Sequence, residues 1–206
     1  MLGVYNYTVI LTYFGMLVSF TGLTFAVQGD LRTALTCLMI SGVCDMFDGK
    51  IASTMERTAR EKRFGIQIDS LSDLICFGVL PAVITWRLSG GHSAGFYISG
   101  LYLLCTLIRL AWFNVDEEER QAESDGAREV YLGLPVTMAA LFLPAVLGIG
   151  RALGLPLGKL AAGLLLLMGA AFLTPFRLKK PALLGKLGML LAGSAGLIVV
   201  LAGVDP

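Results

Sequence analysis

Four aspartates fall within 29 residues of an otherwise greasy chain: Asp45, Asp48, Asp69 and Asp73, in the stretch DMFDGKIASTMERTAREKRFGIQIDSLSD. Asp45 and Asp48 are three apart and Asp69 and Asp73 four apart. On helices, both spacings put each pair on one face. An acid at the centre of a membrane helix costs about 2.5 to 3.5 kcal/mol, and less near its ends. Four converging acids therefore need compensation, either by basic partners or by cations. Lys50, Arg57, Arg60, Lys62 and Arg63 are close in sequence. Lys50 turns away from the Asp45 face by helical spacing, and the other four are expected in a loop. Oxygen donors with no histidine or cysteine among them suit a hard divalent ion, Mg²⁺ or Mn²⁺, and two such ions balance four carboxylates. The bland alternative is a set of interfacial acids, with Asp69 and Asp73 answering the dipole at a helix start.

Small residues accompany the acids. Gly49, Ala52 and Ser53 follow Asp48, and Gly65 stands one turn before Asp69. Glycine inside a helix costs about 1 kcal/mol against alanine, so close approach by a ligand or tight helix packing is its motive.

The elements that must position these residues are membrane helices. The 206 residues are 56% hydrophobic and 15% charged, with a mean hydropathy of +0.77, outside the range of soluble domains. Windows long enough to cross a bilayer run over 5–27, 31–53, 64–88, 94–115, 131–150, 156–176 and 182–203. The expected fold is an all-α polytopic membrane protein of six to eight spans, best seven, forming a single domain over 1–206. No signal-peptide pattern opens it. With seven spans, Arg57, Arg60, Lys62, Arg63, Arg120, Arg128, Arg177, Lys179, Lys180 and Lys186 share one side, against Arg32, Arg87, Arg151 and Lys159 on the other. The positive-inside rule then puts the aspartate stretch at the cytoplasmic leaflet of the cell membrane.

Other residues carry weaker signals. Cys37, Cys44, Cys76 and Cys105 lie in apolar windows without a C-x-x-C pair, which suits small core residues. His92 reads as a solvated loop residue, and the acidic run from Asp116 to Glu119 as a solvated loop. The Gly154 to Gly158 spacing hints at a helix contact. Arg109, deep in the fourth window, is a functional candidate, with an ion pair to a buried aspartate as its alternative. Asn114 and the Gly133-Leu134-Pro135 turn follow it.

The aspartate stretch resembles the signature of the CDP-alcohol phosphotransferase family, D-x-x-D-G-x-x-A-R followed by G-x-x-x-D-x-x-x-D. Asp45, Asp48, Gly49, Ala52, Gly65, Asp69 and Asp73 supply seven of its eight fixed positions. Ser53 stands where the family has arginine, and the spacer to Gly65 is eleven residues rather than the commoner eight; Arg57 or Arg60 is a substitute from that loop. FGIQIDSLSDLICFGVLPA, RLAWFNV and YLGLPV are similar to the phosphatidylserine synthase branch, a likeness shared by archaeal ether-lipid enzymes.

The resemblance implies a six-helix core, a homodimer and a reaction. A hydroxyl attacks the β-phosphorus of a CDP-linked lipid, CDP-diacylglycerol with L-serine as acceptor, and CMP leaves. Asp45, Asp48, Asp69 and Asp73 are implied as ligands of two Mg²⁺ or Mn²⁺ ions, with Asp73 also the general base. Asp48, Gly49, Ala52, Ser53, Arg57, Arg60, Gly65 and Asp69 are implied to meet the nucleotide and lipid phosphate. Arg109 and Asn114 are candidates for the acceptor or a phosphate. Membrane lipids are expected partners and nucleic acid is not. Competing readings are another acceptor (glycerol 3-phosphate, inositol or choline), an ether-lipid donor, a prenyltransferase, and, least favoured, a cation transporter, which would repeat its acids in other helices.

Overall fold

The computed structural model describes residues 3–123 and 130–179, together with Ala195 and Ile198. Apart from those two residues, the expected window 182–203 lies outside the described residues, as do Arg128, Lys180 and Lys186. The elements are α1 (Tyr7–Gln28), α2 (Leu31–Ala52), α3 (Ala59–Asp73), a π-helical turn (Leu74–Val79), α4 (Leu80–Leu88), α5 (Ser93–Glu123), β1 (Val130–Leu132), a 3-10 turn (Val136–Met138), α6 (Ala139–Ala152), α7 (Leu157–Leu173) and β2 (Arg177–Lys179). α3, the π turn and α4 form one 30-residue helix, Ala59–Leu88. Six helical passages are thus described. Those of α1, Ala59–Leu88 and α5 are long and apolar enough to cross a bilayer by composition alone. α2 is as long as α1, but Asp45, Asp48 and Lys50 interrupt its apolar run. The last two passages, Val136–Ala152 and Leu157–Leu173, are shorter, close to the lower limit of about 17 residues for a span.

α1 and α2 close on each other through small residues. Gly15, Ser19, Gly22 and Ala26 form a stripe on α1, and Ala34, Cys37, Ser41 and Cys44 form one on α2. A Cβ on Gly22 would lie 2.7 Å from that of Cys37, and one on Gly15 would lie 3.2 Å from that of Cys44. Ser19 and Ser41 share a 2.8 Å hydrogen bond across the seam. In lipid, where burying apolar surface drives little, such close backbone approach and interhelical hydrogen bonds carry the association. All four cysteines are buried and free, as small core residues should be. The Gly154 to Gly158 spacing is not a helix face: Gly154 sits in the turn after α6 at φ +66°.

Helix starts and stops depart from the sequence reading in two places. Thr58 caps α3 in a capping box, its hydroxyl accepting from the Glu61 amide while the Glu61 carboxylate accepts from the Thr58 amide. This T-x-x-E pattern starts the helix at Ala59, so Arg60, Lys62 and Arg63 belong to the first turns of α3 and not to a loop. The acidic run from Asp116 to Glu119 is helical too. Continued α5 hydrogen bonding and an i,i+3 ion pair of 2.5 Å between Arg120 and Glu117 hold it in the helix.

Beyond the helices, β1 pairs antiparallel with β2, Val130 opposite Lys179, a three-residue ladder that the all-α reading lacked. The turn after β1 needs its glycine. Gly133 has φ +75°, its amide donates to the Phe176 carbonyl at 2.7 Å, and a Cβ would meet the Thr174 and Phe172 carbonyl oxygens at 3.0 and 3.2 Å. The stretch YLGLPV is thereby tied to the end of α7.

Candidate active site

Asp45 and Asp48 sit in the last turns of α2. Asp69 and Asp73 are not at a helix start, where the sequence reading places them, but in the last turns of α3, inside the continuous helix Ala59–Leu88, because the cap at Thr58 begins it earlier. One carboxylate oxygen from each of Asp45, Asp48 and Asp69 lies within 4.8 Å of the others. All four aspartates are partly buried. Asp73, one turn beyond Asp69, stands outside that tight trio and lines a cavity with Asp45 and Asp48, in company with Thr12, Ser41, Cys76 and Phe77. The expected convergence of two helical pairs is thus present, three acids bunched and the fourth along the cavity wall.

α1 contributes a residue that spacing does not reveal. The Thr12 hydroxyl donates to Asp48 Oδ2 at 3.1 Å. The partners are 36 positions apart, so no local pattern announces them; only the α1–α2 seam brings Thr12 over the acids. Along the same cavity, the Gly15 carbonyl accepts from Ser41 at 2.9 Å and from the Cys76 thiol at 3.7 Å, so these lining groups pair with one another.

The small residues separate into two kinds. Nothing lies within 4 Å of where a Cβ on Gly49 would stand, whereas one on Gly42 would lie 2.6 Å from the Cβ of Ala140. Gly42 is a packing glycine. Gly49 faces open space beside Asp48, so helix packing does not explain it. Ala52 is partly buried, and Ser53 caps the end of α2 with its hydroxyl on the Lys50 carbonyl at 2.7 Å. Gly65 is covered by a cation: the Arg57 guanidinium would lie 3.3 Å from a Cβ there. Arg57 therefore sits one turn from Asp69, while Arg60 is exposed on α3.

Arg109 is 7% exposed. Its Nε donates to the Leu134 carbonyl at 3.4 Å, which ties α5 to the turn following β1. Asn114 belongs to a polar ladder between α3 and α5. Ser70 donates to its carbonyl oxygen, its amide donates to Gln67 Oε1 at 3.2 Å, and Gln67 donates to Glu118 at 3.1 Å. Ser70 follows Asp69 directly, so the ladder grips α3 beside the acids. His92 is in the connection between α4 and α5, its Nδ1 2.5 Å from the Ser89 carbonyl oxygen.

Carboxylates gathered on two adjoining helices inside a bundle of apolar passages define an integral membrane protein with an acidic centre between its helices. A model of the CDP-alcohol phosphatidyltransferase family matches residues 5–191, and the chain belongs to that family. It is 25% identical over 145 residues to the CDP-diacylglycerol–serine O-phosphatidyltransferase of Mycobacterium tuberculosis strain H37Rv, covering 70% of this chain and 49% of that protein. It is 31% identical over 141 residues to the protein of that name in Saccharomyces cerevisiae, covering 62% and 50%. An archaetidylserine synthase of Methanothermobacter thermautotrophicus is 30% identical over 117 residues, covering 56% and 46%. The chain spans about half the length of the curated relatives it matches.

Proposed function

We propose that this protein transfers a phosphatidyl group from CDP-diacylglycerol to L-serine, releasing CMP. The observation that carries the reading is the acidic centre in its membrane setting: three carboxylates within 4.8 Å, with a fourth along the same cavity. That donor set fits hard divalent cations. It is all oxygen, drawn from two helices, with the Thr12 hydroxyl bracing one carboxylate. Asp45, Asp48, Asp69 and Asp73 would hold two Mg²⁺ or Mn²⁺ ions. Bound there, such ions neutralise phosphate oxygens and the departing CMP.

The chain's own residues do the rest. Asp73 takes the proton from the serine hydroxyl as the oxygen attacks the β-phosphorus. A carboxylate within hydrogen-bond reach of that hydroxyl is a competent base. The open flank of α2 at Gly49 and Ala52 admits the cytidine and its phosphates, and Arg57, held over Gly65, supplies positive charge on the other side. In that role Arg57 takes the place of the family arginine that Ser53 lacks. Arg109 and Asn114 secure the helices behind the acceptor side through Leu134 and Ser70. The basic residues Arg57, before the cap, and Arg60, Lys62 and Arg63, in the first turns of α3, support a cytoplasmic placement, where serine is dissolved and the acyl chains stay in lipid. A homodimer in the cell membrane is part of the same reading.

The test is to incubate purified protein with CDP-diacylglycerol, Mn²⁺ or Mg²⁺, and labelled L-serine, following lipid-soluble label and CMP together. Equal appearance of both supports the reading. CMP release only with glycerol 3-phosphate, inositol or choline keeps the reaction class and replaces the acceptor. The similarity to an archaetidylserine synthase favours one further donor, a CDP-linked ether lipid, to be run in parallel.

A further inference from the structure

We propose that Tyr102 is a positioning residue for the acidic centre, acting through the π turn that begins where Asp73 ends; its catalytic consequence rests on the function proposed above.

The chain of contacts starts at Pro81. In α spacing the Phe77 carbonyl would accept from the amide of residue 81, but proline has no amide hydrogen and crowds the carbonyl four residues back. The helix widens instead: over Leu74–Val79 the hydrogen bonds run in π spacing, the Leu80 amide reaching the Ile75 carbonyl. The Tyr102 hydroxyl, from α5, donates to the Phe77 carbonyl at 2.6 Å. Both side chains are 1% exposed, so no solvent competes for that bond.

α5 grips the same turn elsewhere. A Cβ on Gly78 would meet Leu103 Cδ1 at 3.0 Å and Thr106 Cγ2 at 3.2 Å. Phe77 and Asp73 line one cavity, one on each side of the start of the widened turn. A π turn holds one residue more than an α turn, so its loss rotates everything on one side relative to the other by about 100°. Asp73 is on the α3 side of that joint, and the packing of α4 against α5 fixes the other. Tyr102 therefore helps hold the rotational setting of Asp73 towards Asp45 and Asp48 without lining the cavity itself. Single π turns within α-helices commonly mark functional sites, and here the residue that secures one can be named.

The experiment compares Tyr102→Phe, Pro81→Ala and the double variant in detergent. Mn²⁺ affinity is read by electron paramagnetic resonance without lipid, alongside thermal midpoint and kcat and KM for CMP release. Tyr102→Phe is expected to lower the midpoint, weaken Mn²⁺ binding several-fold and cut kcat about tenfold, a magnitude in keeping with displaced reacting groups, with KM for the CDP-lipid nearly unchanged. Pro81→Ala, in the double variant, returns a backbone donor to Phe77 and so restores the midpoint. Its α register leaves Mn²⁺ affinity and kcat low. Pro81→Ala alone should show the same separation and keeps the test decisive should Tyr102→Phe fail to fold. Recovery of Mn²⁺ affinity together with midpoint in the double variant, or wild-type Mn²⁺ binding in either single variant, overturns the proposal. A wild-type protein that binds Mn²⁺ but releases no CMP refutes the proposed function alone, because the Mn²⁺ arm is read without substrate.

Discussion

Replacing Gly49 by alanine should stabilise the protein and damage its activity, an unusual pairing that follows from what surrounds the residue. Gly49 is helical, in the last turn of α2, and a Cβ there meets nothing within 4 Å. Alanine at such a position recovers about 0.5 to 1 kcal/mol of backbone entropy, less where the helix end frays. If the nucleotide and its phosphates lie against this flank, the added methyl crowds the ligand. Overpacking a close contact costs about 1 to 3 kcal/mol, roughly a 5- to 140-fold loss of apparent affinity. The assay is CMP release in mixed micelles at saturating serine with CDP-diacylglycerol titrated, alongside thermal midpoints in detergent. Gly42→Ala is the control with the opposite pattern: its Cβ would stand 2.6 Å from that of Ala140, far inside a normal carbon contact, so it should destabilise first. Gly49→Ala with unchanged KM and kcat, repeated for Gly49→Leu, refutes the assignment of this flank to the ligand.

Three further outcomes are expected. Asp45→Asn or Asp48→Asn should weaken Mn²⁺ binding, measured by electron paramagnetic resonance, at least tenfold, and chelation of divalent ions from the wild type should abolish CMP release reversibly. Gly133→Ala should destabilise by more than the roughly 1 kcal/mol of a glycine replacement at positive φ, read as a lowered thermal midpoint, because its methyl also meets two carbonyl oxygens at the end of α7; an unchanged midpoint would count against the rigidity of that turn. Asp30 caps α2 by accepting from the Thr33 hydroxyl at 2.6 Å and amide at 3.1 Å, and those bonds hold its carboxyl below the ordinary value of 3.8. A depressed value means that the cap stabilises fully above that ordinary value and fades as pH falls through the lowered one, so the stability advantage of wild type over Asp30→Ala, about 1 kcal/mol and read from thermal midpoints, should shrink on acidification below pH 4.

The sequence by itself determined the membrane class, since this apolar composition lies well outside that of ordinary soluble domains, and it marked the acidic centre, since facing i,i+3 and i,i+4 aspartates are expensive in lipid. The start of α3 was misplaced from the sequence, where the basic run reads as loop, because the local capping box of Thr58 and Glu61 outweighs it. The small-residue stripe from Gly15 to Ala26 was present in the sequence too, but which of its faces meets which helix depends on contacts between distant positions. Only the tertiary structure separated Gly42, pressed against Ala140, from Gly49, open beside Asp48, because a glycine carries no side chain to betray its surroundings. Thr12 on Asp48, Arg57 over Gly65 and the ladder through Asn114 were decided in the same way, by helices meeting at one end of the bundle. The π turn joins both levels: Pro81 denies the Phe77 carbonyl its α-helical donor, and the packing of α5 brings Tyr102 to that oxygen.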